Sequence, residues 1–105
     1  MRDPVYNLCM FKGGFVYILA SKRNGTIYIG VTSNLTKRIE EHRTHVVPGF
    51  TSRYRVNNLV WYEQHDTIEQ AIVREKQLKE WNRAWKITLI EKGNPNWEDL
   101  AESIF

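Results

Sequence analysis

Phe15-Val16-Tyr17-Ile18-Leu19-Ala20-Ser21-Lys22-Arg23-Asn24-Gly25-Thr26-Ile27-Tyr28-Ile29-Gly30-Val31-Thr32 is the stretch that decides the fold. Residues 15–20 and 26–32 are apolar runs rich in β-formers, and the segment between them ends in Asn-Gly, a strong hairpin signal. Two antiparallel strands are expected. Side chains alternate across a strand, so Tyr17 shares a face with Phe15 and Leu19, and Tyr28 shares one with Gly30 and Thr32. Any even-length loop puts both sets on one side. A four-residue loop, 22–25, pairs Tyr17 with Gly30 and makes Tyr28 its diagonal neighbour. A two-residue Asn24-Gly25 turn keeps the faces and separates the tyrosines further. Gly30, mid-strand, marks a point where a ligand or another backbone approaches closely.

Working outward, Ser33 or Asn34 can cap a helix running to about residue 45. Residues 47–58 carry Pro48, Gly49 and two asparagines and read as a loop. Residues 59–63 form a third strand. Asp66 or Thr67 then caps a helix to about residue 81, with Glu69 and Gln70 as capping-box partners. A further helix spans 83–92 and stops at Gly93-Asn94-Pro95, and a last short helix covers 97–103. The order β-β-α-β-α-α places a small three-stranded antiparallel sheet beside helices: an α+β fold. Residues 1–14 read as a flexible lead-in, with Met10 an alternative start, and 15–105 as a single domain.

The 105 residues suit one domain, with 42% hydrophobic and 12% aromatic content. The lone Cys9 forms no internal disulfide, which fits a reducing compartment. No apolar run reaches the ~18–20 residues of a membrane span, and the start lacks a signal-peptide pattern, so a cytoplasmic protein is expected. Net charge is +3 but uneven. Residues 4–62 hold eight Lys or Arg against Glu40 and Glu41, whereas 63–105 hold six against nine acids. A basic half facing a polyanion follows. Within it, Arg43, His45, Arg53, Tyr54 and Arg55 form an acid-free segment suited to a nucleic-acid backbone or to base stacking. Lys79, Trp81, Arg83, Trp85 and Lys86 also interleave bases and aromatics, and core packing is the better reading of their tryptophans.

Polar residues stand where apolar ones belong. Ile68, Ala71, Ile72 and Leu78 define one helical stripe with Glu75 at its centre, a costly place for a carboxylate without a partner. On the first helix, Arg38 and His42 share the inner face of Leu35, Ile39 and Val46 at i and i+4 spacing. A buried Arg38–Glu75 ion pair steadied by His42 explains any one of the three; together they point to a site.

These residues are recognisable as a set. Phe15-Val16-Tyr17, ten intervening residues, then Tyr28-Ile29-Gly30 resembles the signature of the GIY-YIG nucleases, with Phe15 in place of the first glycine. Arg38, His42 and Glu75 match the Arg, nearby His and later Glu of that superfamily. The resemblance runs from Phe15 to about Asn94 and is closest to the short, stand-alone bacterial, UPF0213-like members. They share the Gly-Phe-Thr of 49–51, the Arg-Glu-Lys-Gln of 74–77, the Ala-Trp-Lys of 84–86 and the Asn-Pro-Asn-Trp-Glu-Asp-Leu of 94–100.

The resemblance implies an endonuclease that hydrolyses phosphodiester bonds, acting on DNA more than RNA and on structured or damaged forms. A binding-only domain that keeps the fold is the alternative, and a protein-interaction module a third. A protein partner would supply specificity. The resemblance assigns Glu75 to one Mg²⁺ or Mn²⁺ ion and Tyr17 to the role of general base or relay. It gives Arg38 the scissile phosphate and Tyr28 the orientation of water or phosphate. His42 either takes the Tyr17 proton or supports the phenol. Gly30, Arg43, Arg53, Tyr54, Arg55 and Asn94 are the substrate-contacting candidates, with Asn82 the alternative to Asn94.

Overall fold

The computed structural model describes residues 13–44 and 55–104. The elements run β1 (Gly14–Ala20), β2 (Ile27–Thr32), α1 (Leu35–Arg43), β3 (Asn58–His65), α2 (Ile68–Glu80) and α3 (Arg83–Gly93), then a 3-10 helix (Leu100–Ser103). This is the α+β order expected. The sheet is antiparallel with β1 in the middle, flanked by β2 and β3. No helix among the described residues is long and apolar enough to cross a membrane.

The hairpin closes through a four-residue turn. Gly25 N donates to Lys22 O at 2.9 Å, and Ser21 N to Thr26 O at 2.9 Å. Asn24 takes a left-handed φ of 58°, a conformation Asn tolerates better than most residues. Tyr17 is therefore paired with Gly30, the register of the longer loop. On the other side, β3 carries one extra residue between Ile18 and Leu19, where Trp61 and Leu59 are the successive partners. That bulge keeps Leu59 and Val60 buried on opposite faces.

The caps account for the helix starts. Asn34, not Ser33, caps α1, its Oδ1 accepting from Lys37 N at 3.2 Å. Thr67 and Gln70 form the reciprocal capping box of α2. Asn82 caps α3 through Trp85 N at 2.9 Å.

Two apolar layers sandwich the sheet. On one face, Val16, Ile18, Ala20, Ile29 and Val60 meet Ala71 and Leu78 of α2, Ile90 of α3 and Trp97. On the other, Tyr17, Leu19 and Leu59 meet Leu35 and Ile39 of α1, with Val56 and Ala101. α2 approaches β1 closely: a Cβ on Gly14 would stand 2.8 Å from Ile68 Cδ1 and 2.9 Å from Ala71 Cβ.

Three boundaries differ from the sequence reading. Gly14 is buried inside β1, paired with His65, and so is part of the domain; residues 1–12 lie outside the described residues. β3 extends to His65, because Glu63 and His65 keep strand alternation beyond the apolar run. The last helix is a 3-10 turn from Leu100, capped by Asp99, because Trp97 adopts a positive φ of 56° that no helix continues.

Candidate active site

The central strand delivers Tyr17 and the neighbouring strand Tyr28, on the face that α1 covers. α1 presents Arg38 and His42 one turn apart. Three rings form a triangle. Their centroids are 6.4 Å apart for Tyr17–Tyr28, 6.0 Å for Tyr17–His42 and 5.6 Å for Tyr28–His42. Tyr17 Oη lies 3.2 Å from His42 Nε2. With the imidazole proton on Nδ1, the phenol donates to Nε2; with it on Nε2, the ring donates to the phenol.

Both groups are almost wholly buried, Tyr17 1% and His42 2% exposed. Burial pushes the Tyr17 phenol up to about 12, with smaller upward pushes from Tyr28 and Glu75 and a partial offset from the Arg38 guanidinium beside it. His42 is held below the usual imidazole range, first by burial and then by the positive charge of Arg38. At neutral pH the pair is thus a protonated phenol against a neutral imidazole. In that state the phenol can give its proton to the imidazole nitrogen while its oxygen takes one from another donor, a relay that passes through no free phenolate. Arg38 is raised mainly by its contact with Tyr17, and it also makes a long 3.4 Å ion pair with Glu41. Its outer side borders a depression of about 470 Å³ formed with Lys37, Glu41 and the end of β2.

Gly30 has a different reason from the one expected. A Cβ there would land on the hydroxyl and ring of Tyr17, 2.5 Å from Cζ and 3.0 Å from Cε2. The space over Gly30 is filled by the phenol across the strand, so the close approach expected at this glycine is made by Tyr17. The glycine acts on the site by letting Tyr17 lie flat toward His42.

Glu75 is placed less simply. It sits on α2, which packs on the opposite face of the sheet from α1, although its charge is still felt at Tyr17. Its carboxylate side chain is 12% exposed and pairs with Lys79 Nζ at 2.8 Å. Arg38 and Glu75 thus have other partners, and the Arg38–Glu75 pair is not formed. Among the described residues no three His, Cys, Asp or Glu side chains gather in a metal-ligand cluster. A single carboxylate matched by a half-exposed ammonium fits one divalent ion that keeps most of its water, and does not fit a protein-enclosed cage.

Three further candidates are engaged elsewhere. Asn94 is 6% exposed, its Nδ2 donating to Val60 O and Glu98 O and its Oδ1 accepting from Glu98 N. Every polar atom of that side chain bonds backbone, which gives Asn94 a structural role in joining α3 to β3. The alternative, Asn82, is the α3 cap. Arg43 pairs with Asp99, which also accepts from Leu59 N and Ala101 N, so Arg43 fastens α1 to β3. Arg55 is exposed, with a positive φ of 54°. Arg53, Tyr54 and His45 lie outside the described residues.

The structure also brings Lys79 and Lys86 beside Tyr28, and leaves Trp85 58% exposed. The alternation of bases and aromatics over 79–86 is the signal that pointed there. Core packing holds for Trp81, which packs against the core, and not for Trp85.

Comparison with known proteins places these features. Residues 13–88 match the GIY-YIG catalytic domain. A UPF0213 protein of Staphylococcus saprophyticus is 33% identical over 79 residues, 75% of this chain and 95% of that protein. One of Syntrophus aciditrophicus is 38% identical over 82 residues, 77% of this chain and 92% of that one. The solution NMR structure of a UPF0213 protein from Bacillus halodurans superposes with a TM-score of 0.50 at 26% identity, over 83% of this chain and 92% of that one. With a matching domain over most of its length and relatives that it covers almost end to end, the chain belongs to the GIY-YIG family, among members of the UPF0213 kind.

Proposed function

We propose that this protein is a divalent-metal-dependent endonuclease that hydrolyses phosphodiester bonds in structured or damaged DNA. The observation that carries the reading is the buried Tyr17–His42 hydrogen bond beside Arg38, within a GIY-YIG domain. Hydrolysis adds water across a P–O bond. The water oxygen bonds to phosphorus, the bond to the leaving oxygen breaks, and that oxygen takes a proton from solvent. The water's own proton passes to Tyr17 Oη as the Tyr17 proton passes to His42 Nε2, so no free phenolate is needed. Arg38 binds the phosphoryl oxygens, for which its planar fork of donors is suited, and Tyr28 orients the water. Glu75 would hold Mg²⁺ or Mn²⁺, which when bound supplies positive charge against the phosphoryl oxygens.

A nucleic-acid-binding domain without turnover is the second reading. It is favoured by a phenol held at about 12 and a carboxylate already paired with Lys79. A cleavage screen over branched, nicked, single-stranded and duplex DNA and the matching RNAs, with and without Mg²⁺ or Mn²⁺, separates the two. The nuclease reading expects metal-dependent products from the wild type and none from Glu75→Ala or Tyr17→Phe. Equal products from wild type and Glu75→Ala would mean a contaminant. Salt-sensitive binding with no product on any substrate would leave the binding-only domain.

A further inference from the structure

Beside Tyr28, on the outer side of β2, lies a depression of about 380 Å³. Ile27, Tyr28 and Ile29 line it from the strand, and Lys79 and Lys86 line it from α2 and α3. Two lysines thus border an otherwise apolar trough that runs along β2 at Tyr28, the strand residue whose ring stands in the candidate active site. Lys79 is 52% exposed and also meets Glu75, while Lys86 Nζ reaches only a long 3.4 Å contact with Lys79 O. Next to Lys86 stands Trp85, set edge-on to Trp81 at 5.9 Å and 87°. Trp81 packs against the core, whereas Trp85 is 58% exposed. Arg83 holds this corner against the sheet by donating to Asn24 O and Gly25 O at 2.8 and 2.7 Å.

We infer that this corner is a subsite for a single-stranded arm of the nucleic-acid substrate, with phosphates on Lys79 and Lys86 and a base stacked on Trp85. The inference rests on the nuclease reading for its substrate class and adds the strand type and the path. Point charges on long stems suit a flexible phosphate backbone, and an exposed indole offers the sequence-tolerant stacking that unpaired bases require. A continuous duplex keeps its bases inside the stack and gives Trp85 nothing to stack on. The second basic depression, at Lys37 and Arg38, borders the same strand further along, at Val31 and Thr32. From Ile27 to Thr32 β2 extends roughly 17 Å at strand rise, long enough for several nucleotides to pass from one depression to the other.

The test is fluorescence anisotropy with labelled oligothymidine and a blunt duplex, in EDTA, across a salt series. It uses the full chain as wild type, Lys86→Gln, Lys79→Gln and Trp85→Ala, each checked by circular dichroism and melting. Each lysine variant should lower the salt slope on oligothymidine by about 0.7. Trp85→Ala should weaken oligothymidine roughly 5- to 100-fold, leave its salt slope unchanged and spare the duplex. Wild-type binding that all three folded variants reproduce overturns the subsite, and cleavage by that same wild type would leave the nuclease reading standing. Variant effects as expected, with no cleavage of any substrate in Mg²⁺ or Mn²⁺, keep the subsite and remove the nuclease. No wild-type binding to oligothymidine overturns the subsite, and metal-dependent cleavage of branched or nicked DNA decides the nuclease reading separately. Loss of a wild-type dimer in sedimentation on Trp85→Ala, with binding intact, would assign Trp85 to a contact between copies and overturn its stacking role.

Discussion

On the face of the sheet that α2 and α3 cover, the buried cluster runs from Val16 and Ile18 to Leu78, Ile90 and Trp97 without an ionisable member. On the face that α1 covers, the same strands bury the Tyr17 phenol, and α1 buries the His42 imidazole above it. The first layer has little to do but exclude water. The second uses burial to set proton affinities, raising the phenol and lowering the imidazole. One layer can hold chemistry in a chain of 105 residues because the other supplies ordinary apolar packing.

The largest effect that should sharpen this contrast is on rate. Tyr17→Phe keeps the ring and removes the proton relay, so cleavage should fall by about 10² to 10⁴, while urea unfolding should lose only the ~1–3 kcal/mol of one buried hydrogen bond. On the opposite face the pattern should invert. Leu78→Ala opens a cavity in the fully apolar layer and should cost about 2–5 kcal/mol in urea unfolding. Cleavage per folded molecule should stay near wild type.

Titration offers a third way to separate the layers. The folded Tyr17 phenol is raised above its unfolded value near 10, so its contribution is complete below pH 10 and is lost as pH rises toward 12. The shift corresponds to about 2–3 kcal/mol across that window. Comparing wild type with Tyr17→Phe from pH 9 to 12 should show this loss in the wild type alone. His42 has the opposite sign. Its folded value is depressed, so its share is present above about 6.5 and disappears as pH falls through the folded value.

The smallest expected change tests whether the gap at Gly30 holds the Tyr17 ring on the face that α1 covers. Gly30→Ala places a methyl against the Tyr17 ring and should cost about 1–3 kcal/mol by overpacking. It should also shift the His42 titration seen by NMR, because the phenol must move. An unchanged His42 titration would show that the ring is not held by the glycine's gap.

Much of this was legible from periodicity and end signals. The capping residues near 34 and 67, the three strands and the shared face of Tyr17, Tyr28 and Gly30 all follow from local rules. What local rules do not carry is which helix covers which face. Arg38, His42 and Glu75 each lie on an inward stripe, but two helices can point inward from opposite sides of a sheet, and here they do, with Glu75 still near enough for its charge to reach Tyr17. Gly30 shows the same limit, since its partner is set by cross-strand register and only one of the two possible turns gives it. Asn94 sits in a Gly-Asn-Pro stop, a place that favours backbone bonding as much as ligand contact, and backbone took all of it. The exposure of Trp85 depends on how α2 and α3 meet at Trp81, which no spacing reveals.

Asn94 and Asp99 have one more consequence. Asn94 binds the carbonyl of Val60, and Asp99 the amide of Leu59, both on the outer strand β3. A strand at the margin of a sheet is a template for another chain, and these two side chains occupy part of the template. A chain cut before Asn94 would keep all three strands and the three long helices, yet expose that margin. Its first fault would be colloidal, a tendency to zip edge to edge into aggregates, before any defect in chemistry appeared.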